Sequence, residues 1–204
     1  MPGAPLVTSS PKAAHVWERD PNDWYIEPER ATVQLLRRET FTGWTHDSCC
    51  GQGNIVRTLI AAGVTATGSD LVQRVDAPWH MGTADFLDGP MGCFGADNCV
   101  MNPPFYRAIG AERAIRRALE CVPGKVAVFV DARFLQGTAR ARGLWNDYPP
   151  SRIWTILPRL SCPPGTYLQA GGKAANGSSD WVWLVWDRAR PVAGHAPAFG
   201  WIVA

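Results

Sequence analysis

Residues 100–106, Val-Met-Asn-Pro-Pro-Phe-Tyr, carry the most chemically specific spacing in the chain. A short apolar approach ends in Asn102, and Pro103 and Pro104 then remove two backbone donors and fix φ, so a strand stops abruptly here. Proline also biases the residue before it towards extended backbone, which turns the Asn102 amide and its neighbouring carbonyls off a sheet edge instead of into a ladder. With Phe105 next, an amide oxygen, a fixed carbonyl and an aromatic face come together. Such a set can hold a planar molecule bearing an amino group. Taken alone, the same residues also describe a Pro-Pro turn after a strand.

Three more groups precede the corner. The stretch Asp47-Ser48-Cys49-Cys50-Gly51-Gln52-Gly53-Asn54-Ile55 follows a short apolar run and opens an amphipathic one. Gly51 and Gly53 let the backbone pass close to a ligand at a helix N-terminus, and the Asp47 carboxylate is suited to an ammonium group. Asp70, with Leu71 beside it, follows the glycine turn by about 20 residues, where an acid at the end of a second strand accepts hydrogen bonds from a ribose diol. Asp85 and Phe86 form an acid–aromatic pair. A nicotinamide-type site is a poorer match, because the third glycine of GxGxxG is missing.

The elements that must position these groups can be read from periodicity and punctuation. Pro28, Val33, Leu35 and Leu36 predict a helix over 28–39, and strands are expected at 44–48 and 64–68. After the corner, Ala108, Ile115, Leu119 and Val122 mark a helix face, with Arg113, Arg116 and Arg117 on its solvated side. A strand at 125–130, a helix at 137–146 and strands at 152–157 and 180–187 follow. The connection 158–179 is a candidate substrate flap, and His195 to Trp201 ends in an aromatic expected to dock on the sheet edge. Residues 1–23 read as a flexible tail, mobile or loosely docked, and 24–204 as a single domain without a separate target-recognition domain.

Of the 204 residues, 46% are hydrophobic and 19% charged, which fits a globular domain with a substantial core. No apolar run approaches a membrane span and the N-terminus lacks a signal-peptide pattern, so no membrane partner and a cytoplasmic location are expected. The six cysteines form no CxxC pair and have no nearby histidine at ligand spacing, so they are read as reduced thiols and no metal is expected. Charge is unevenly spread: 7 Lys/Arg against 12 Asp/Glu up to Met101, then 13 against 6. The half with the Asn-Pro-Pro-Phe corner is the basic half, which suits a polyanion and equally a solvated basic face. Nothing in the sequence sets an oligomeric state.

From about Trp24 to Ile202 the chain resembles the phage-type and bacterial adenine-N6 DNA methyltransferases, class I S-adenosylmethionine-dependent amino-methyltransferases. The motifs that carry the resemblance are Asp47 to Gly53, Asp70, Asp85-Phe86, Asn102-Pro103-Pro104-Phe105 and the Trp-Val-Trp-Leu-Val-Trp-Asp strand. The resemblance implies an α/β, Rossmann-like class I methyltransferase fold, a mostly parallel seven-stranded sheet with an antiparallel last strand and helices on both faces. It implies S-adenosyl-L-methionine as cofactor, held by Tyr25, Glu27, Asp47, Cys49, Gly51, Gly53, Asn54, Asp70, Leu71, Asp85, Phe86 and Asn102. Glu27 stands where this family carries Thr in its Tyr-x-Thr-Pro segment. It further implies DNA as substrate, with Asn102 Oδ1 and the Pro103 carbonyl accepting the hydrogens of the target amine and Phe105 stacking on the base. Arg133, Arg140 and Arg142 are the candidates for phosphate contacts. The same corner occurs in enzymes acting on RNA or on protein glutamine, and a catalytically inactive nucleic-acid-binding relative is a third reading.

Overall fold

The computed structural model describes residues 20, 22–90, 92–174, 177 and 179–204. Most of the expected 1–23 tail therefore lies outside the described residues. Asp20 and Asp23, at its end, are buried against the domain instead of loosely docked.

Eight strands form one sheet: β1 (Thr45–Asp47), β2 (Ala66–Asp70), β3 (His80–Thr83), β4 (Asn98–Met101), β5 (Lys125–Asp131), β6 (Arg152–Leu157), β7 (Trp181–Asp187) and β8 (Ala198–Val203). Their spatial order is β3-β2-β1-β4-β5-β7-β6-β8. All run parallel except β7, which pairs antiparallel with β5 and with β6. Two expectations change. The sheet has eight strands, not seven, and the last of them, β8, adds parallel to β6 at the edge; the seventh, β7, is antiparallel as expected and lies between β5 and β6. The C-terminal segment extends the sheet, and Trp201 stays 57% exposed instead of docking.

Helices α1 (Glu29–Leu36), α2 (Asn54–Ala61), α3 (Ile109–Cys121), α4 (Thr138–Arg142), α5 (Leu144–Asp147) and α6 (Gly165–Gln169) complete the domain. β5 shows why both sheet faces are covered. Val126, Val128 and Val130 join one apolar cluster with Ile115 and Leu119 of α3, while Ala127 and Phe129 join another with Leu35 of α1 and Leu59 of α2. A strand buried on both faces reads as a continuous apolar run, which is the pattern of a doubly wound sheet. The helix expected over 137–146 is two short ones, because Gly143 breaks it with φ −112 and ψ −93.

At the edge of the sheet opposite the strand carboxyl ends, Glu39 is 2% exposed and accepts from Arg152, Lys125 and the Trp154 indole. The cluster ties the segment after α1 to the first residues of β5 and β6.

Candidate active site

The carboxyl ends of β1, β2 and β4 carry the residues singled out in the sequence. Asp47 closes β1 and is 1% exposed, and its Oδ1 accepts from the Cys49 amide at 3.0 Å, which bends the chain into the glycine turn. Burial raises its carboxyl well above the usual range. Gly51 then donates its amide to Asp70 Oδ2 at 2.8 Å, joining the turn to the end of β2. Gly51 has φ +53, and a Cβ there would meet the Trp24 indole nitrogen at 2.9 Å, so the backbone passes under an aromatic ring where a side chain would not fit.

One cleft opens over this turn, lined by Tyr25, Glu27, Cys49, Gly51, Asp70, Leu71, Asp85, Phe86, Asn102 and Pro104 among others. Nine of the proposed cofactor residues are therefore on its wall. Asp47, Gly53 and Asn54 are not: Asp47 shapes the turn, Gly53 caps α2 with φ 89, and Asn54 donates to the Glu27 carbonyl at 2.7 Å. Asp85 spends Oδ1 on the Leu87 and Asp88 amides at 2.9 and 3.0 Å, and its Oδ2 has no partner among the described residues. Asp70 is more heavily used, accepting from the Gly51 and Val72 amides and from Arg74, whose guanidinium lies 4.4 Å over the Trp24 ring.

A second cleft is lined by Asp23, Tyr25, Asn102, Pro103, Phe105, Arg107, Asp131, Arg133, Cys162, Ser179 and Trp181. The two clefts share Asp23, Tyr25 and Asn102. Along the corner the chain alternates between them: Pro103, Phe105 and Arg107 line the second, Pro104 and Tyr106 the first, and Asn102 both. The glycine turn and the proline corner thus serve one connected site.

That alternation continues into a left-handed turn. Tyr106, Arg107 and Ala108 have φ of 35°, 57° and 73°, a run of three non-glycine residues in a region that costs roughly 1–2 kcal/mol each. Asp23, itself at φ 51, accepts from the Tyr106 amide and holds the turn. The turn places Arg107 on the wall of the second cleft before α3 begins.

The Asn102 side chain has one orientation. Its Nδ2 donates to the Tyr25 carbonyl at 3.0 Å and to Glu27 Oε2 at 2.8 Å. A carbonyl oxygen can only accept, so Nδ2 must face Tyr25, and Oδ1 is left as the amide's acceptor at the junction of the clefts. Glu27 is 7% exposed, and burial pushes its carboxyl up to about 7 against the pull of the Asn102 bond.

Of the roof of the first cleft, the sequence pointed to Tyr25 and Glu27 but not to Asn22, Asp23, Trp24 or Ile26. Residues 22–27 line it consecutively, and this strap is held from the far end of the chain. The Ile26 amide donates to the Pro163 carbonyl at 2.9 Å, the Gly165 amide to the Trp24 carbonyl at 2.8 Å, and Thr166 to Asp20 at 3.0 Å. The proposed flap therefore divides: residues 162–165 are buried under the strap, while 175, 176 and 178 lie outside the described residues. Of the proposed phosphate-binding arginines, Arg133 lines the second cleft, 84% exposed and paired to Asp131 at 2.8 Å. Arg140 is spent on the Phe134 carbonyl at 2.6 Å and on its ring, and Arg142 is exposed away from either cleft wall. Arg107 was not anticipated, since nothing but glycine content signals a left-handed turn.

No family model and no curated protein matches the chain in sequence. Solved structures do. A modification subunit of a candidate type I restriction enzyme from Vibrio vulnificus YJ016 superposes with TM-score 0.57 and 13% identity, covering 82% of this chain and 45% of that one. An S-adenosylmethionine-dependent methyltransferase from Thermotoga maritima gives TM-score 0.50 and 12% identity over 78% of this chain and 88% of that one. A candidate hemolysin from Lactococcus lactis gives 0.50 and 10% over 86% and 92%. The chain spans less than half the length of the restriction-enzyme subunit. With the observed strand order, these likenesses define the Rossmann-like fold of class I methyltransferases.

Among the described residues there is no group of three or more His, Cys, Asp or Glu able to hold a metal ion, and no helix is long and apolar enough to cross a membrane.

Proposed function

We propose that the protein is an S-adenosylmethionine-dependent methyltransferase that modifies the exocyclic N6 amine of adenine in DNA. The observation that carries the reading is Asn102, with Oδ1 at the junction of two clefts and both amide hydrogens already committed. The first cleft suits the cofactor: the Gly51 turn brings bare backbone to its wall, and Asp85 and Asp70 supply carboxylates for hydroxyl and amine groups. When bound, S-adenosylmethionine supplies an electrophilic methyl group on a sulfonium.

The second cleft suits a planar base better than an aliphatic amide, because Tyr25, Phe105 and Trp181 line it. Arg107 and Arg133 at its rim suit a phosphate backbone. One of the structures that share the fold is a modification subunit of a candidate type I restriction enzyme, which favours DNA. An aromatic amine is a poor nucleophile because its lone pair is delocalised into the ring. Asn102 Oδ1 and the Pro103 carbonyl accept its two hydrogens, drawing the nitrogen towards tetrahedral geometry and aiming the lone pair at the first cleft. Rate is gained by position and hydrogen bonding, and the base must leave a duplex to reach the cleft.

The test is incubation with cofactor and unmethylated DNA, RNA or ribosomal protein, followed by mass spectrometry of nucleosides and peptides. N6-methyladenine in the DNA sample is expected. Methylation confined to RNA or to glutamine would replace the substrate assignment, and no methylation of any of them would overturn the reading.

A further inference from the structure

The structure assigns Glu27 as a positioning residue for this reaction: its carboxylate grips the Asn102 amide, fixing Oδ1 towards the acceptor cleft and strengthening it as an acceptor. The inference rests on the role of Asn102 proposed above. Its basis is geometric. Glu27 Oε2 lies 2.8 Å from Asn102 Nδ2, and Glu27 itself is held because its carbonyl accepts from Asn54 at 2.7 Å just before α1 begins. The carboxyl is 7% exposed, so its field on the amide is little screened.

An anionic acceptor on Nδ2 draws electron density through the amide towards Oδ1, and charge-assisted bonds are about twice as strong as neutral ones. A carboxyl that has taken up a proton can keep the geometry and lose the charge. The groups in electrostatic reach are Asp47 from β1, Arg57 from α2 and Cys162 from the β6–β7 connection, beside the Asn102 amide. The Glu27 charge raises the already buried Asp47 carboxyl further, and Arg57 favours the charged form of Glu27. Burial places the Glu27 transition at about 7, so the strength of Oδ1 changes across neutral pH. The family's Thr at this place has no such transition.

Two measurements test this. In wild type, kcat for methyl transfer should rise about tenfold as pH increases through neutrality; Glu27→Gln should show a flat profile about tenfold below the wild-type plateau, with Glu27→Asp intermediate. Independently of turnover, the nitrogen-15 signal of the Asn102 side-chain amide, assigned by its loss in Asn102→Asp, should titrate near neutrality in wild type and not in Glu27→Gln. An active wild type whose Asn102 signal is insensitive to pH, or a Glu27→Gln variant with the wild-type rate and pH limb, overturns the positioning role alone. A wild type that transfers no methyl group while its Asn102 signal still titrates overturns the assigned reaction, and the role with it.

Discussion

The Ile26 amide donates to the Pro163 carbonyl at 2.9 Å, so the strap over the first cleft is fastened by residues more than a hundred positions away. Trp24, at the centre of the strap, packs on Gly165, where an added Cβ would meet its ring at 2.3 Å, and beneath it Gly51 leaves no room either. The indole is thus clamped between two glycines and under the Arg74 guanidinium. The first cleft has its shape because two distant turns agree.

Gly165→Ala should therefore push Trp24 out of register. We expect S-adenosylmethionine affinity to fall at least about tenfold and stability to fall by about 1–3 kcal/mol, the usual cost of overpacking. Calorimetric titration with the cofactor and urea unfolding read the two effects. Unchanged affinity would mean that the strap does not shape the cofactor site.

Glu27 makes the site costly to maintain. Its folded value of about 7 against an ordinary 4.5 means that between those pH values the folded chain holds a proton the unfolded chain has lost, so the Glu27 contribution to stability falls as pH rises through that window. At about 1.4 kcal/mol per pH unit the full effect is about 3 kcal/mol, and Glu27→Gln should be more stable than wild type by about that amount at pH 8 and by little at pH 4. Urea unfolding at both pH values checks it.

His46 acts in the opposite sense. It is fully buried, its two ring nitrogens are engaged by Thr67 at 2.9 Å and Ser69 at 3.0 Å, and burial lowers it from 6.5 to about 4. Below pH 6.5 the unfolded chain takes up a proton that the folded one refuses, so this contribution is complete above 6.5 and is lost as pH falls towards 4. With Glu27→Gln the Glu27 slope is gone, but Asp47, which burial raises, still opposes His46, so the His46 contribution is read as a difference: between pH 4 and 6.5 stability should rise more steeply, or fall less steeply, in Glu27→Gln than in Glu27→Gln/His46→Gln. Equal slopes in the two variants would contradict the His46 assignment.

The arginines should separate by role. Arg133→Ala and Arg107→Ala should each raise the KM for DNA several-fold and reduce the salt slope by about one counterion, with melting temperature little changed. Arg140→Ala should instead lower the melting temperature, because it strips a bond from the Phe134 carbonyl and a cation from its ring. Equal loss of DNA affinity in all three would favour a diffuse basic surface over a rim around the second cleft.

Much of the site was legible in sequence where local chemistry dictates local shape. Pro103 and Pro104 end a strand whatever lies elsewhere, Gly51 permits a close turn, and Asp70 and Asp85 follow strands at spacings that a doubly wound sheet imposes. Tyr25 and Glu27 were legible through the motif they resemble, but the strap itself was not, because 22–27 has no periodicity and takes its form from Pro163 and Gly165. β8 was hidden by Pro197 and Gly200, which weaken a strand pattern that pairing with β6 nonetheless completes. Arg140 read as a free basic side chain because sequence does not show that the Phe134 carbonyl is within its reach. Glu27 read as a departure from the family motif, while in three dimensions its carboxylate is the partner that orients Asn102.

If Asn102 presents the target amine to the cofactor, labelled-methyl transfer to unmethylated DNA at saturating cofactor must separate wild type from Asn102→Ala. Wild type should transfer label to adenine, and Asn102→Ala should lose at least about 100-fold in rate, the loss typical of a removed transition-state hydrogen bond. Transfer by Asn102→Ala at the wild-type rate would contradict that role.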